Sequence, residues 1–141
     1  MNSTSYQVTR IIHFCYGHRL LNYAGKCRYP HGHNGVLEIS ISSSGLDSLG
    51  MVIDFEEIKK KVQVWVDSEL DHKMILNEKD PLVPILKQMG DPVVLFSTNP
   101  TAENIARYIF DYAKSQNLNV CSVKLWETQN SFAEYRPNYG A

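Results

Sequence analysis

The sequence predicts an α+β fold: a four-stranded, mainly antiparallel sheet with two helices on one face, in the order β-β-α-α-β-β. Three observations carry that expectation. Extended apolar runs open the chain, two stripes at helical spacing occupy its middle, and a strand pair joined by a short polar turn closes it. The 141 residues, 1–141, are one domain's length and enough to bury a core.

The first strand is expected over about residues 6–15, where Val8, Ile12 and Phe14 share one parity and Ile11 breaks strict alternation. A loop with Gly25 and Pro30 follows and ends in a histidine pair. Residues 35–43 alternate cleanly, with Leu37, Ile39 and Ile41 facing one way and Glu38, Ser40 and Ser42 the other. Such a strand packs helices on its apolar side. Cys15 and Cys121, both on expected strands, read as small core residues.

Asp54, with Glu57 three residues on, has the pattern of an N-cap and capping box. Phe55, Ile58, Val62 and Trp65 form the apolar stripe of a helix ending near residues 69–73, and Lys59-Lys60-Lys61 is its solvated face. Residues 77–100 hold a short helix around Leu82–Met89 and a short strand, Val93–Phe96. A second long helix starts around Asn99-Pro100-Thr101, since proline suits a first turn; Ala102, Ile105, Ala106, Ile109 and Ala113 are its buried side. Two last strands, Val120–Thr128 and residues 132–136, flank the turn Gln129-Asn130-Ser131. A four-stranded sheet leaves two open edges, which pairing between subunits would cover.

Composition excludes several function classes. Fourteen basic against fifteen acidic residues leave no electrostatic footprint for nucleic acid or an anionic membrane. Met1 to Tyr6 lacks the basic start and apolar core of a signal peptide, and no apolar run approaches the ~20 residues of a membrane span. Three irregularly spaced cysteines make no disulfide framework, so a cytoplasmic, reducing setting is expected.

The chemistry concentrates in Cys27-Arg28-Tyr29-Pro30-His31-Gly32-His33. In extended backbone, His31 and His33 point to one side and can aim both imidazoles at one metal ion. A catalytic zinc takes three protein ligands and keeps one position open. His18 is the nearest third candidate, and His13 on the first strand is its rival. Cys27 is either a fourth ligand, which closes a structural site, or a free thiol beside an open one. A zinc hydrolase of the His-x-His-x-Asp-His kind is set aside, because Asn34-Gly35 follows the pair.

Six motifs then occur in order: His18-Arg19-Leu20, Cys27-x-x-x-His31-Gly32-His33, residues 51–55 (Met-Val-Ile-Asp-Phe), Leu70-Asp71-His72, residues 100–104 (Pro-Thr-Ala-Glu-Asn), and Glu127-Thr128. Together they resemble the 6-pyruvoyl-tetrahydropterin synthase / 6-carboxy-tetrahydropterin synthase family of tunnelling-fold enzymes, over about residues 6–136. The resemblance implies zinc held by His18, His31 and His33. It makes Cys27 the catalytic base, with Asp71 and His72 completing the proton-transfer set. Glu127 would anchor a pterin ring, and Thr101 and Glu103 would help line the pocket. The implied substrate is 7,8-dihydroneopterin triphosphate. The implied assembly is a homohexamer, two stacked trimers whose sheets close into a β-barrel.

Residue chemistry agrees with those roles. A thiol of reference pKa ~8.5 needs nearby positive charge to act as a base, which zinc, Lys26 or Arg28 would supply. A carboxylate accepts the two adjacent N–H donors of a pterin edge as a fork. Each residue also has a plainer role: Asp71-His72 as a helix C-terminal cap, Glu127 as a solvent-facing strand residue, Glu103 as a helix N-terminal charge. The chain departs from the family where Cys15, Tyr16 and Gly17 precede His18, and in a 77–99 segment longer than in the animal enzymes and closer to bacterial relatives. Those bacterial features favour the 6-carboxy product, released with triphosphate and acetaldehyde, over the 6-pyruvoyl one.

Overall fold

The computed structural model describes residues 5–137. Strands β1 (Tyr6–His18) and β2 (His31–Ser43) form one antiparallel ladder, from Tyr6 opposite Ser43 to His18 opposite His31. Both outrun the lengths expected for them. Gly17 faces Gly32 across the ladder, and the polar residues around them erase the apolar alternation. Backbone hydrogen bonding continues regardless, so the histidines lie on strands rather than in a loop.

The sheet has six strands, in the order β4-β3-β1-β2-β5-β6, which corrects the four-stranded expectation. Strands β5 (Val120–Thr128) and β6 (Ser131–Tyr135) extend the antiparallel side beyond β2. On the other side, β3 (Lys73–Asn77) runs parallel to β1, and β4 (Val93–Phe96) runs parallel to β3. Strand β3 was hidden because Met74-Ile75-Leu76 is a short apolar run, which periodicity cannot separate from a helix end.

The first helical stretch runs α1 (Phe55–Ile58), a π-helical turn (Lys59–Gln63) and α2 (Val64–Glu69). Asp54 caps it as expected, though its Oδ1 accepts from the Glu56 N–H, at 2.9 Å, rather than from Glu57. Helix α3 (Leu82–Met89) ends at Gly90, whose φ of 81° is the left-handed conformation that glycine adopts freely. Helix α4 (Ala102–Ser115) begins one step later than expected. Thr101 is its cap, accepting from the Asn104 N–H at 3.1 Å, and Pro100 lies before it. None of the described helices is long and apolar enough to cross a membrane.

The core sits between the sheet and these helices. Ile12, Phe14, Leu37, Ile39, Val123 and Leu125 meet Ile58, Val62, Val66, Ile105 and Ile109, all buried. Each such side chain contributes about 1.5–3 kcal/mol on leaving water. Phe55 is an exception to the expected stripe: it is 47% exposed, and Val66 packs inward further along. Cys15 and Cys121 are half-buried rather than core residues. Cys15 Sγ instead reaches Asn34 Oδ1, at 3.1 Å.

Candidate metal centre and ligand pocket

His18, His31 and His33 converge because of the ladder register. His18 stands opposite His31, and His33 shares the parity of His31. Their ligand atoms lie within 4.8 Å of one another. His18 Nε2 and His33 Nε2 are 3.2 Å apart. That is close to the ~3.3 Å edge of a tetrahedron built on ~2.0–2.1 Å metal–nitrogen bonds.

Backbone carbonyls set the imidazole tautomers. His18 Nδ1 donates to Pro100 O and His31 Nδ1 to Tyr29 O, both at 2.7 Å. A carbonyl only accepts, so each Nδ1 carries the proton and each Nε2 keeps its lone pair for an ion. His18 is 2% exposed, and burial pulls its pKa below the usual imidazole range despite the Pro100 and Glu127 interactions that oppose the shift. It stays neutral, as a ligand must. The donor set fits zinc. His13 is exposed on the opposite parity, so it is no rival to His18. Cys27 is not among the clustered ligand atoms.

Glu127 comes from β5 on the parity of buried Leu125. Its Oε1 lies 3.8 Å from His18 Nε2 and its Oε2 lies 3.9 Å from His33 Nε2. The structure thus places it against the histidines rather than in open solvent. Tyr16 packs between them, its ring 5.3 Å from that of His18 and 5.6 Å from that of His33. Burial, and then the Glu127 charge, push its phenol well above the ordinary tyrosine value. Composition gave no hint of this tyrosine's role; its place two residues before His18, on the same parity, is the signal that finds it.

A pocket of about 710 Å³ opens beside the cluster, lined by Tyr16, His31, His33, His72, Lys73 and Met74 among others. Its size suits a small organic ligand. Gly17 makes room for Met74 on the pocket wall: a Cβ there would come 2.2 Å from the Met74 sulfur. At the rim, His72 Nδ1 and Asp71 Oδ2 are 2.8 Å apart. Asp71 Oδ1 also accepts from the Cys15 N–H at 2.8 Å, and His72 N–H donates to Cys15 O at 2.7 Å. Burial pushes the Asp71 carboxyl up, but the hydrogen bonds from Cys15 and His72 outweigh it and hold the pKa below the usual value. His72 has a left-handed φ of 61° and a side chain 77% exposed.

The remaining expected residues lie further out. Cys27 is half-buried on a 3-10 turn (Lys26–Arg28), where its carbonyl accepts from Leu20 N–H at 2.8 Å. Arg28 spends its guanidinium on Ala24 O and the Tyr29 ring. Thr101 uses its hydroxyl as the α4 cap. Glu103 is exposed and borders a small cleft with Glu127. Pro100 and Tyr29 hold the histidines by carbonyl oxygens, and no side-chain pattern in a sequence marks such a role.

Comparisons with known proteins agree with this geometry. Residues 7–138 match the family model described as 6-pyruvoyl tetrahydropterin synthase. A Rickettsia typhi protein named 6-carboxy-5,6,7,8-tetrahydropterin synthase is 43% identical over 133 residues, 89% of this chain and 96% of its own. Among solved structures, an uncharacterized protein from Wolinella succinogenes superposes with a TM-score of 0.82 at 25% identity, covering 96% of this chain and 100% of that one. The 6-pyruvoyl tetrahydropterin synthase of Caenorhabditis elegans gives 0.71 at 25% identity, covering 98% and 99%.

Proposed function

The chain belongs to the 6-pyruvoyl tetrahydropterin synthase family, and on that footing we propose that it is a cytoplasmic, zinc-dependent 6-carboxy-5,6,7,8-tetrahydropterin synthase. Its substrate in this reading is 7,8-dihydroneopterin triphosphate, and triphosphate and acetaldehyde leave. The observation that carries the proposal is three imidazoles whose ligand atoms lie within 4.8 Å of one another, with the Glu127 carboxylate beside two of them and a pocket of ligand size adjoining the cluster.

His18, His31 and His33 hold the metal, which supplies a Lewis acid that draws electrons from the substrate's side-chain oxygens. Glu127 accepts the two N–H donors of the pterin edge, and a ring lacking them leaves the carboxylate unpaired. Glu103 borders a cleft with Glu127, and Thr101 follows Pro100, whose carbonyl holds His18. Cys27 removes a side-chain proton as thiolate. His72 handles the complementary proton, oriented through its hydrogen bond to Asp71. The His72 side chain is exposed, Cys27 is half-buried on its turn, and β4 and β6 leave two sheet edges. A homohexamer of two stacked trimers covers those edges and completes each site from neighbouring subunits.

Incubating the zinc-loaded protein with the substrate and trapping volatile carbonyls tests this. Acetaldehyde in step with triphosphate is expected. Triphosphate without acetaldehyde identifies the 6-pyruvoyl product instead, and neither product rejects the enzyme.

A further inference from the structure

Two unmet needs lie against the same two histidines, His18 and His33. The Tyr16 hydroxyl is buried and has no hydrogen-bond partner among the described residues. The Glu127 carboxylate meets the histidine nitrogens only at 3.8 and 3.9 Å, too long for hydrogen bonds. His18 Nε2 presents a lone pair there, because its proton is on Nδ1. The tyrosine hydroxyl is therefore a donor available to that carboxylate, since its ring packs against the same two histidines, 5.3 and 5.6 Å between ring centroids.

The Tyr16 ring is itself seated by a specific neighbour. Gly35 leaves the space it occupies: a Cβ there would come 3.0 Å from Tyr16 Cε1, 3.2 Å from Phe14 Cε1 and 3.3 Å from Leu125 Cδ1. Phe14 stacks against it, 5.1 Å between centroids. A well-packed ring with an unspent polar tip beside a ligand-facing carboxylate is costly unless the tip acts when the site is filled.

We propose that Tyr16 is a positioning residue for the ligand-binding carboxylate: its O–H donates to one Glu127 oxygen, turning the carboxylate away from the imidazole nitrogens and toward the cavity that Glu127 lines with His33. A carboxylate oxygen has lone pairs enough for the phenol and one ligand N–H together. The held carboxylate then stays off the open metal position and meets the heterocycle already oriented. This inference rests on Glu127 being the pterin anchor.

The test is a double-mutant cycle read by neopterin fluorescence on the zinc-loaded protein. Tyr16→Phe is expected to weaken neopterin about tenfold while zinc stoichiometry is kept, since a hydrogen bond to a charged acceptor is lost. Its thermal midpoint should not fall, because the hydroxyl it removes is unpartnered in the empty protein. In a Glu127→Gln background the same substitution should weaken binding no further. Gly35→Ala, which displaces the ring and keeps the hydroxyl, should reproduce the loss. Equal weakening by Tyr16→Phe with and without Glu127, or no weakening while Glu127→Gln abolishes binding, overturns the inference alone. Unchanged binding in Glu127→Gln overturns the anchor reading beneath it.

Discussion

The Nδ1–H of His18 donates to the carbonyl oxygen of Pro100 at 2.7 Å, tying the histidine cluster to the residue just before the cap of α4. Helix position and the geometry of the histidine cluster are thus one mechanical unit. Thr101→Ala removes the cap hydrogen bond to Asn104 and loosens that carbonyl. The expected cost is about 1 kcal/mol of stability. Zinc affinity should fall about tenfold, as for other outer-shell partners of metal-binding histidines. Urea unfolding and chelator competition measure the two effects separately.

The thiol on the Lys26–Arg28 turn separates a catalytic from a structural metal site. Cys27→Ala is expected to remain folded and bind one equivalent of zinc, while turnover drops by about 10²–10⁴-fold. Metal analysis of the purified variant, set beside its rate, decides the matter. Loss of zinc together with unfolding would mean that the sulfur closes a structural site.

His72 occupies a left-handed backbone conformation that costs a non-glycine residue about 1 kcal/mol or more. Its exposed pairing with Asp71 offsets little of that. His72→Gly should therefore leave the unfolding midpoint unchanged or raised, yet reduce kcat by at least about 10²-fold. A variant that loses stability and keeps its rate would restrict His72 to capping.

Arg19 grips Asp80 in a bidentate pair, with the Asp80 side chain fully buried and Nε–Oδ2 at 2.7 Å. Arg19→Met leaves that carboxylate unpaired and should cost about 3 kcal/mol at neutral pH. The Arg19 hydrogen bonds hold the Asp80 carboxyl below its usual value, against burial. A depressed carboxyl stabilises the fold fully above the unfolded value of ~3.9 and ceases to as pH falls through the lower folded value. The gap between wild type and Arg19→Met should accordingly narrow below about pH 4. Urea midpoints between pH 7 and pH 3 show whether it does.

Much of the architecture was legible from local pattern. The alternation around Leu37, Ile39 and Ile41 located β2, the spacing of Ile105, Ala106 and Ile109 located α4, and Leu82–Met89 and Val93–Phe96 appeared where read. Strand β3 escaped, because parallel pairing with β1 is a non-local contact and its apolar run is too short for a period to show. The histidine trio was legible for a similar reason in reverse. Spacing two apart on an extended chain already puts His31 and His33 on one side.

Side-chain chemistry by itself determined which atoms this chain can offer a metal ion and a pterin: imidazoles, a thiol and a fork-shaped carboxylate. Tertiary structure alone decided how they meet. It put His18 opposite His31 rather than His13, protonated two imidazoles on Nδ1 through backbone carbonyls, and set the Tyr16 ring and the Glu127 carboxylate against the same two histidines. The physical reason is that residue type fixes what a group can donate or accept, whereas register and packing fix the distance over which it does so.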